Sequence, residues 1–427
     1  MNQSSSPYCA PFSLRTEVLS GITSFLTMSY ILFVNPMILS DAGMDPRGVL
    51  TATVLVCASS TILMGLFCKL PYVLAPGMGL NAFFTYTLVL HQGMTWEAAL
   101  GATVLSGLIF FVLTLLQVRS WMAESIPQGL RISIAAGIGI FLAFIGFQSA
   151  GIVEFSSVTF VRPGELGQVS LIFVFGLILS TLLLIKKIPG ALLIGIIATT
   201  LLAAGLGHVS APATILSSPD FHSVFWKFDL LAVLKVSMIA PVFTMLMTDL
   251  LDSLSSFMGI AQAANLLDEN GQPKNLQKAL MVDAFSTTAA GCFGSSAGTV
   301  YIESAAGIHQ GGRTGITAIV CGLCFLPFLF LGDVALLIPR YATAPALVLV
   351  GTFMLQNLKH LKLDRIEDAL PAFLAMTLIP LTFSITQGMV WGILAHTALR
   401  ILGGKWEELN AGLITLSLLC FLILYLG

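Results

Sequence analysis

Residues 294–307 read GSSAGTVYIESAAG, and this stretch decides how the chain is to be interpreted. Its one carboxylate, Glu303, has long hydrophobic sequence on both sides. A carboxylate at membrane depth is costly and indicates a functional site by default. The glycines and serines around it predict a helix that is broken inside the membrane, which is tolerated only where the backbone lines an enclosed cavity. The combination is typical of a transporter's substrate site.

The composition of the chain indicates a membrane protein. Of its 427 residues 56% are hydrophobic and only 9% are charged, against about 25% charged in soluble domains. The net charge of −2 gives no indication of a nucleic-acid partner. We therefore expect an all-α polytopic membrane protein whose surroundings are the lipid bilayer.

The hydrophobic runs, and the polar, glycine and proline residues that separate them, predict fourteen spans of about 20 residues each. We place them at 18–40, 48–68, 73–91, 97–118, 129–149, 168–186, 190–208, 231–257, 277–293, 296–311, 314–332, 335–357, 367–384 and 386–402. A further apolar stretch, 409–426, could cross the membrane, lie along its surface or pack against the other helices.

The distribution of basic residues predicts the orientation. With the N-terminus inside, the alternating spans put fourteen of the 19 Lys and Arg residues on the cytoplasmic side. Only Arg47, Arg162, Lys227, Lys235 and Arg340 then lie outside. This asymmetry is the positive-inside pattern. It predicts a multi-pass protein of the plasma membrane, the inner membrane of a bacterium, with residues 1–17 as a cytoplasmic tail.

Two predicted spans are interrupted, and they occupy matching positions. The third contains APGMGLNAFF at 75–84, and the tenth contains Glu303. Each is the third of seven spans, and paired interruptions of this kind indicate the binding site of an inverted-repeat transporter. Helix packing alone would explain Gly77 and Gly79 but leaves the amide of Asn81 in need of partners.

Three further acids lie inside predicted spans: Asp249, Asp252 and Asp283. Asp249 and Asp252 stand three residues apart, so they share one helix face. We expect one of this pair to brace the structure and the other to meet the ligand. For Asp283 a structural role and a role in ion coupling stay open, and His309 is an alternative proton relay.

Other function classes lack their motifs. The chain has no GxxxxGK[ST] sequence, which excludes ATP-driven transport by this polypeptide alone. It shows neither a nucleophile–base pair nor a metal-spaced cluster, so we expect neither an intramembrane enzyme with catalytic residues nor a metal site. The pair Cys321 and Cys324 lies in an apolar run without a second pair. No cofactor is expected beyond a coupling ion.

Four strings carry a resemblance to a known family: GITSFLTMSYILFVNP at 21–36, APGMGLNAFFTY at 75–86, TVYIESAAG at 299–307 and GGRTG at 311–315. Together they resemble the AzgA-type purine permeases, the adenine/guanine/hypoxanthine branch of the nucleobase–cation symporter 2 (nucleobase–ascorbate transporter) superfamily. The resemblance runs from about residue 12 to about residue 403.

The resemblance implies fourteen transmembrane segments arranged as a seven-plus-seven inverted repeat. Residues 18–118 and 231–332 would form a core domain, and residues 129–208 and 335–403 a gate domain. The third and tenth segments would each join a short strand to a half-helix.

The same resemblance implies the substrate residues. Glu303 and Asp252 would hold a purine between them, with Gly79 and Asn81 from the third segment beside it. Tyr301 and Ile302 would offer backbone contacts, and Phe83 or Phe84 an aromatic face. Ser255 stands where the family has glycine, a departure within the eighth span.

The expected activity is import of a purine nucleobase coupled to an ion, with proton symport favoured and Na⁺ as the alternative. Glu303, Asp252 and Asp283 are the candidate proton carriers, since burial favours the protonated form of a carboxyl group. The alternatives are a uracil or xanthine permease, or an anion transporter on the same fold. The preferred purine and the oligomeric state, with a homodimer as one possibility, stay open.

Overall fold

The computed structural model describes residues 13–116, 125–209, 216–235, 238–264, 273 and 275–426. In the first half of the chain the elements are α1 (Leu14–Met28), α2 (Ile31–Asp41), α3 (Pro46–Leu63, extended by a π-helical turn Met64–Cys68), β1 (Leu74–Pro76), α4 (Met78–Ala82, extended as π-helix Phe83–His91), α5 (Trp96–Leu115), α6 (Gln128–Ser149), β2 (Val153–Ser156), β3 (Phe160–Pro163), α7 (Gln168–Ile185) and α8 (Ala191–Gly205).

In the second half they are α9 (Leu230–Val233), α10 (Ile239–Ala264), α11 (Leu276–Phe293), β4 (Gly298–Val300), α12 (Ser304–His309), α13 (Gly315–Phe325, followed by the 3₁₀ turn Leu326–Phe330), α14 (Gly332–Leu336), α15 (Arg340–Leu355, followed by the 3₁₀ turn Gln356–His360), α16 (Ile366–Thr382), α17 (Ile385–Leu402), a 3₁₀ turn (Trp406–Glu408) and α18 (Ala411–Leu426).

The predicted interruptions of the third and tenth spans are confirmed. In both, a strand of three residues leads into a helix: β1 into α4, and β4 into α12. The two strands pair with each other in antiparallel register, with Leu74 opposite Val300 and Pro76 opposite Gly298. This pairing joins the two halves of the chain at their matching segments.

The described helices differ in how they can cross a membrane. Six of them are long and apolar enough to do so by length and composition, the first being the combined α1 and α2. Others, such as α8 and α13, are shorter apolar helices. A short or composite helix needs neighbouring protein to satisfy its exposed backbone groups at membrane depth.

The predicted start of the eighth span at residue 231 is wrong. The chain forms the separate short helix α9, capped by Asp229, whose side chain accepts from the Ala232 N–H at 3.0 Å. The long helix α10 begins only at Ile239 and continues to Ala264. Pro241 explains the difference, because proline is tolerated in the first turn of a helix but not in its interior.

The predicted start of the twelfth span at residue 335 is also wrong. Residues 332–336 form the separate helix α14, and α15 begins at Arg340 with Pro339 as its N-terminal cap. The residue before a proline is disfavoured in helical conformation, which separates the two helices at Ile338.

Two further features differ from the sequence prediction. The first helix begins at Leu14, so residues 14–17 belong to it rather than to a tail, and the buried side chain of Glu17 accepts a hydrogen bond from the Thr317 hydroxyl at 2.5 Å. The strands β2 and β3 form an antiparallel hairpin that the hydrophobic pattern did not predict.

Helix α18, which covers most of the stretch 409–426, packs against α17, and a membrane crossing by it stays a prediction. Leu413, Leu416 and Cys420 are buried, and the hydroxyls of Thr397 and Ser417 are 2.7 Å apart. The helix has 16 residues and is therefore about 24 Å long.

Candidate functional site

The centre of the site is the β1–β4 pair, which is buried along its whole length. Beyond the paired residues, the Gly77 N–H donates to the Ala297 carbonyl at 2.9 Å, and the Tyr301 N–H donates to the Val73 carbonyl at 3.0 Å. Extended backbone would otherwise leave its polar groups unsatisfied at this depth. The pairing therefore allows α4 and α12 to begin in the interior, at opposite ends of the two-stranded ladder.

Side chains fix the two strands further. The Tyr301 hydroxyl donates to the Pro76 carbonyl at 2.5 Å. The Thr61 hydroxyl donates to the Leu74 carbonyl and also accepts from the Leu74 N–H. Ser304 Oγ accepts from the Val73 N–H at 3.0 Å. Tyr301 thus serves as a brace in this structure, and a contact of its backbone with substrate stays a prediction.

Glu303 lies at the N-terminal end of α12 and is half-buried. The hydroxyl of Tyr30 donates to its Oε1 atom at 2.9 Å. Tyr30 is fully buried at the junction of α1 and α2. There the backbone N–H groups of Leu32 and Phe33 donate to carbonyls three residues earlier in the chain, which tightens the helix. Sequence reasoning missed Tyr30, because one tyrosine in an apolar span looks like any other membrane aromatic residue.

Asp252 projects from α10 toward the start of α4. A Cβ atom placed on Gly77 would lie 3.6 Å from Asp252 Oδ2 and 2.8 Å from Thr299 Cγ2. Asp252 is half-buried, and no hydrogen bond joins it to another side chain in the described ranges. It lies within electrostatic range of Glu303 and Asp283. The structure therefore brings together the two carboxylates that the sequence predicted as substrate ligands.

Asp249, one turn earlier on α10, is completely buried and hydrogen-bonded. Its Oδ2 atom accepts from the Thr287 hydroxyl of α11 at 2.8 Å, and its Oδ1 atom accepts from Ser253 at 3.3 Å. The Ser253 hydroxyl also lies 2.9 Å from the hydroxyl of Thr299 on β4. This confirms the prediction that one aspartate of the pair braces the structure.

The remaining predicted residues form two groups by exposure. Ile302 is open, with 48% of its surface exposed. The others are fully or nearly fully buried: Gly79, Asn81, Phe83, Phe84 and Asp283.

Buried polar groups brace the connection between the third and tenth segments. The Ser296 hydroxyl donates to Asn81 Oδ1. The amide of Asn35 donates to Thr53 at 2.7 Å and to Ser295 at 3.0 Å. Asn81 thus has the partner its position requires, and Asn35 is a bracing residue that the sequence reasoning missed.

Gly79 lies where two helices approach closely. A Cβ atom on it would come within 2.8 Å of Ile138 Cγ2 on α6. Phe83 and Phe84 show no exposed ring surface in this conformation. A direct contact of these three residues with substrate stays a prediction.

Comparison with known proteins shows the family of this chain. The Xan_ur_permease model, described as "Permease family", matches residues 15–390. The chain is 37% identical to adenine permease AdeQ of Escherichia coli K12 over 95% of its own length and 92% of that protein's. It is 34% identical to guanine/hypoxanthine permease PbuO of Bacillus subtilis over 97% and 98%.

Among solved structures, the transmembrane domain of the cyanobacterial bicarbonate transporter BicA matches with a TM-score of 0.66 at 16% identity, over 89% of this chain and 97% of that one. This likeness shows the fold, a seven-plus-seven inverted repeat of transmembrane segments. The match over residues 15–390, with relatives at this level of identity, leads to one conclusion: the chain is a multi-pass membrane protein of the xanthine/uracil permease family.

Proposed function

We propose that this protein is a secondary active transporter that imports purine nucleobases: hypoxanthine, guanine or adenine. The observation that carries the proposal is the pair of half-buried carboxylates, Glu303 and Asp252, beside the crossing of β1 and β4. Relatives named as adenine and guanine/hypoxanthine permeases support the same substrate class.

The chemistry of the pair suits a purine. A purine is flat and edged with N–H donors and with ring-nitrogen or carbonyl acceptors. An ionised carboxylate can accept from two neighbouring N–H groups, and a protonated one can donate to a ring nitrogen. Two acids facing one cavity would repel an anion, which disfavours an anion transporter on this fold.

We propose that the coupling ion is a proton and that a carboxyl group of the site binds it together with the substrate. Glu303, Asp252 and Asp283 are the candidates, and Asp283 is close enough to Asp252 for their charges to interact. A carboxyl group can bind one proton and release it again, which is the chemistry that proton coupling needs. Sodium is the alternative ion.

Transport would proceed by movement of the core domain (18–118 and 231–332) against the gate domain (129–208 and 335–403). Contacts between these parts support a closed outer side. Arg340 of the gate domain forms an ion pair with Asp41 of the core domain at 2.5 Å. Tyr86, also in the core domain, donates to the same carboxylate at 2.9 Å. The Thr87 hydroxyl donates to the Phe383 carbonyl at 2.7 Å.

Beside these contacts lies a cavity of about 880 Å³, which would be the outer vestibule. A cleavable thiol crosslinker that joins cysteines at the positions of Asp41 and Arg340 should stop transport until it is cleaved. Undiminished transport by the crosslinked protein would contradict this movement.

The orientation proposed from the basic residues places the N-terminus in the cytoplasm and the protein in the plasma membrane, the inner membrane of a bacterium. A homodimer is the assembly to be tested, by crosslinking in the membrane.

The test of function is uptake of radiolabelled hypoxanthine, in competition with a panel of nucleobases and with or without a proton uncoupler. We expect guanine, adenine or both to compete and the uncoupler to abolish accumulation. Competition by uracil or xanthine alone would indicate the related permeases instead. Uptake that requires sodium and resists the uncoupler would contradict proton coupling.

A further inference from the structure

Tyr30 makes a hydrogen bond that neither the family match nor the proposed substrate chemistry requires. Its hydroxyl donates to Glu303 Oε1 at 2.9 Å across 273 positions of sequence. The tyrosine side chain is completely buried, while Glu303 is only half-buried. The donor therefore comes from the closed interior, while the Glu303 side chain keeps some exposed surface of its own.

The rest of the carboxylate has little to hold it. No second side chain in the described ranges donates to it. Because Tyr30 donates to Oε1, the lone pairs of Oε2 are left without a side-chain donor among the described residues.

The ionisable groups around this hydrogen bond are acids or weak acids. Asp252 on α10 and Tyr301 beside Glu303 both interact electrostatically with Tyr30. Asp283 on α11 acts on Asp252, and Cys57 on α3 acts on Tyr301. Among these acidic groups, the Tyr30 hydroxyl is the side chain that donates a hydrogen bond to Glu303.

We infer that Tyr30 is a positioning residue that fixes Glu303 through Oε1, so that Oε2 exchanges the coupled proton and contacts the purine. The inference rests on the proposed function and deepens it, since it assigns proton exchange to one atom of Glu303. The protonated Oε2–H can then donate to a ring nitrogen of the substrate. Release of the proton restores the carboxylate that accepts from Tyr30.

Tyr30→Phe should change the pH profile of uptake more than the maximal rate. A hydrogen bond donated to the ionised carboxylate favours that form. Without it Glu303 takes up a proton at higher pH, so the pH at which uptake falls to half its maximum should rise by about one unit. Loss of fixed geometry should also raise the KM for hypoxanthine several-fold.

Tyr72→Phe is the matched control. Tyr72 is also completely buried, but its hydroxyl has no hydrogen-bond partner among the described residues. The same chemical change there should leave the pH profile in place. Both variants are measured in proteoliposomes at equal protein amounts, against the wild type.

A second readout does not depend on transport. The infrared band of the protonated Glu303 carboxyl, identified by its absence in Glu303→Gln, is titrated in the purified protein. Tyr30→Phe should move its midpoint upward by the same amount. A midpoint unchanged in Tyr30→Phe, or moved equally in Tyr72→Phe, would overturn the inference. Wild-type protein that takes up no purine while the Tyr30→Phe band still shifts would refute the proposed function alone.

Discussion

Asp249 and Asp252 stand one helical turn apart on α10, and the structure surrounds them differently. Asp249 is completely buried and accepts hydrogen bonds from Thr287 and Ser253. Asp252 is half-buried and faces the bare backbone of Gly77. An aspartate side chain braces the structure where hydroxyl groups donate to it. It stays available to a ligand where its neighbour is a glycine, which has no side chain to donate.

The difference follows from neighbouring elements rather than from α10 itself. Thr287 on α11 bonds both to Asp249 and to the Gly298 carbonyl at 3.0 Å, so it ties the helix to β4. Near Asp252 the chain instead supplies a second carboxylate, Glu303. Glu303 has one side-chain donor, Tyr30, and Asp252 has none among the described residues. Two acids with so few donors are an expensive arrangement in a low-dielectric interior, which is why we assign them to substrate and proton.

The largest effect is expected for Glu303→Gln. The amide keeps the size of the side chain but can neither exchange a proton nor accept two N–H groups at one charged end. Accumulation of hypoxanthine should fall to background, a loss of about 100-fold or more. Glu154→Gln on the exposed β2–β3 hairpin is the control and should transport normally. Unchanged accumulation by Glu303→Gln would refute the site.

Thr287→Val should affect stability rather than substrate. It removes the hydroxyl that donates to Asp249 Oδ2 and leaves a buried carboxylate oxygen without that donor. The expected cost is about 1–3 kcal/mol of unfolding free energy. Thermal unfolding in detergent measures it, and the KM of the folded protein should stay near the wild-type value.

Thr103→Val is the control for this change, because among the described residues the buried Thr103 hydroxyl bonds only to the Ala99 carbonyl of its own helix, at 3.0 Å. Its effect on stability should be clearly smaller. An equal loss in both variants would show that Thr287 has no special role beside Asp249.

A smaller effect is expected for Gly77→Ala, which closes the open face of Asp252. The new methyl group would lie 3.6 Å from Oδ2 and force Thr299 Cγ2, at 2.8 Å, to move. Uptake at low substrate concentration should fall about three- to tenfold, the equivalent of about 1 kcal/mol. Gly205→Ala adds a methyl group where no atom lies within 4 Å and should be neutral. Wild-type uptake by Gly77→Ala would separate this glycine from the site.

The sequence predicted much of this arrangement because its strongest signals are local. Hydrophobic runs fix the spans, and the glycine-rich breaks locate β1 and β4. The sequence also predicted that one aspartate would brace the structure and the other would meet the ligand, although their spacing could not assign the two roles. That depends on Thr287, 38 residues away along the chain.

What the sequence could not predict depends on contacts between distant segments or on single prolines. Tyr30 meets Glu303 only after the first and tenth segments pack together. Asn81 needed a partner, but the sequence did not identify Ser296. The late starts of α10 and α15 follow from Pro241 and Pro339, which continuous apolar sequence concealed.

The most direct test of the account compares Asp252→Asn with Asp249→Asn in one uptake assay, normalised to correctly folded protein. We predict that Asp252→Asn lowers hypoxanthine uptake at low substrate about 10- to 150-fold while its thermal stability stays near that of the wild type. Asp249→Asn should lose stability and keep a KM within about threefold of the wild type. Normal uptake by Asp252→Asn, or a selective loss of substrate affinity in Asp249→Asn, would contradict the assignment of Asp252 to the substrate.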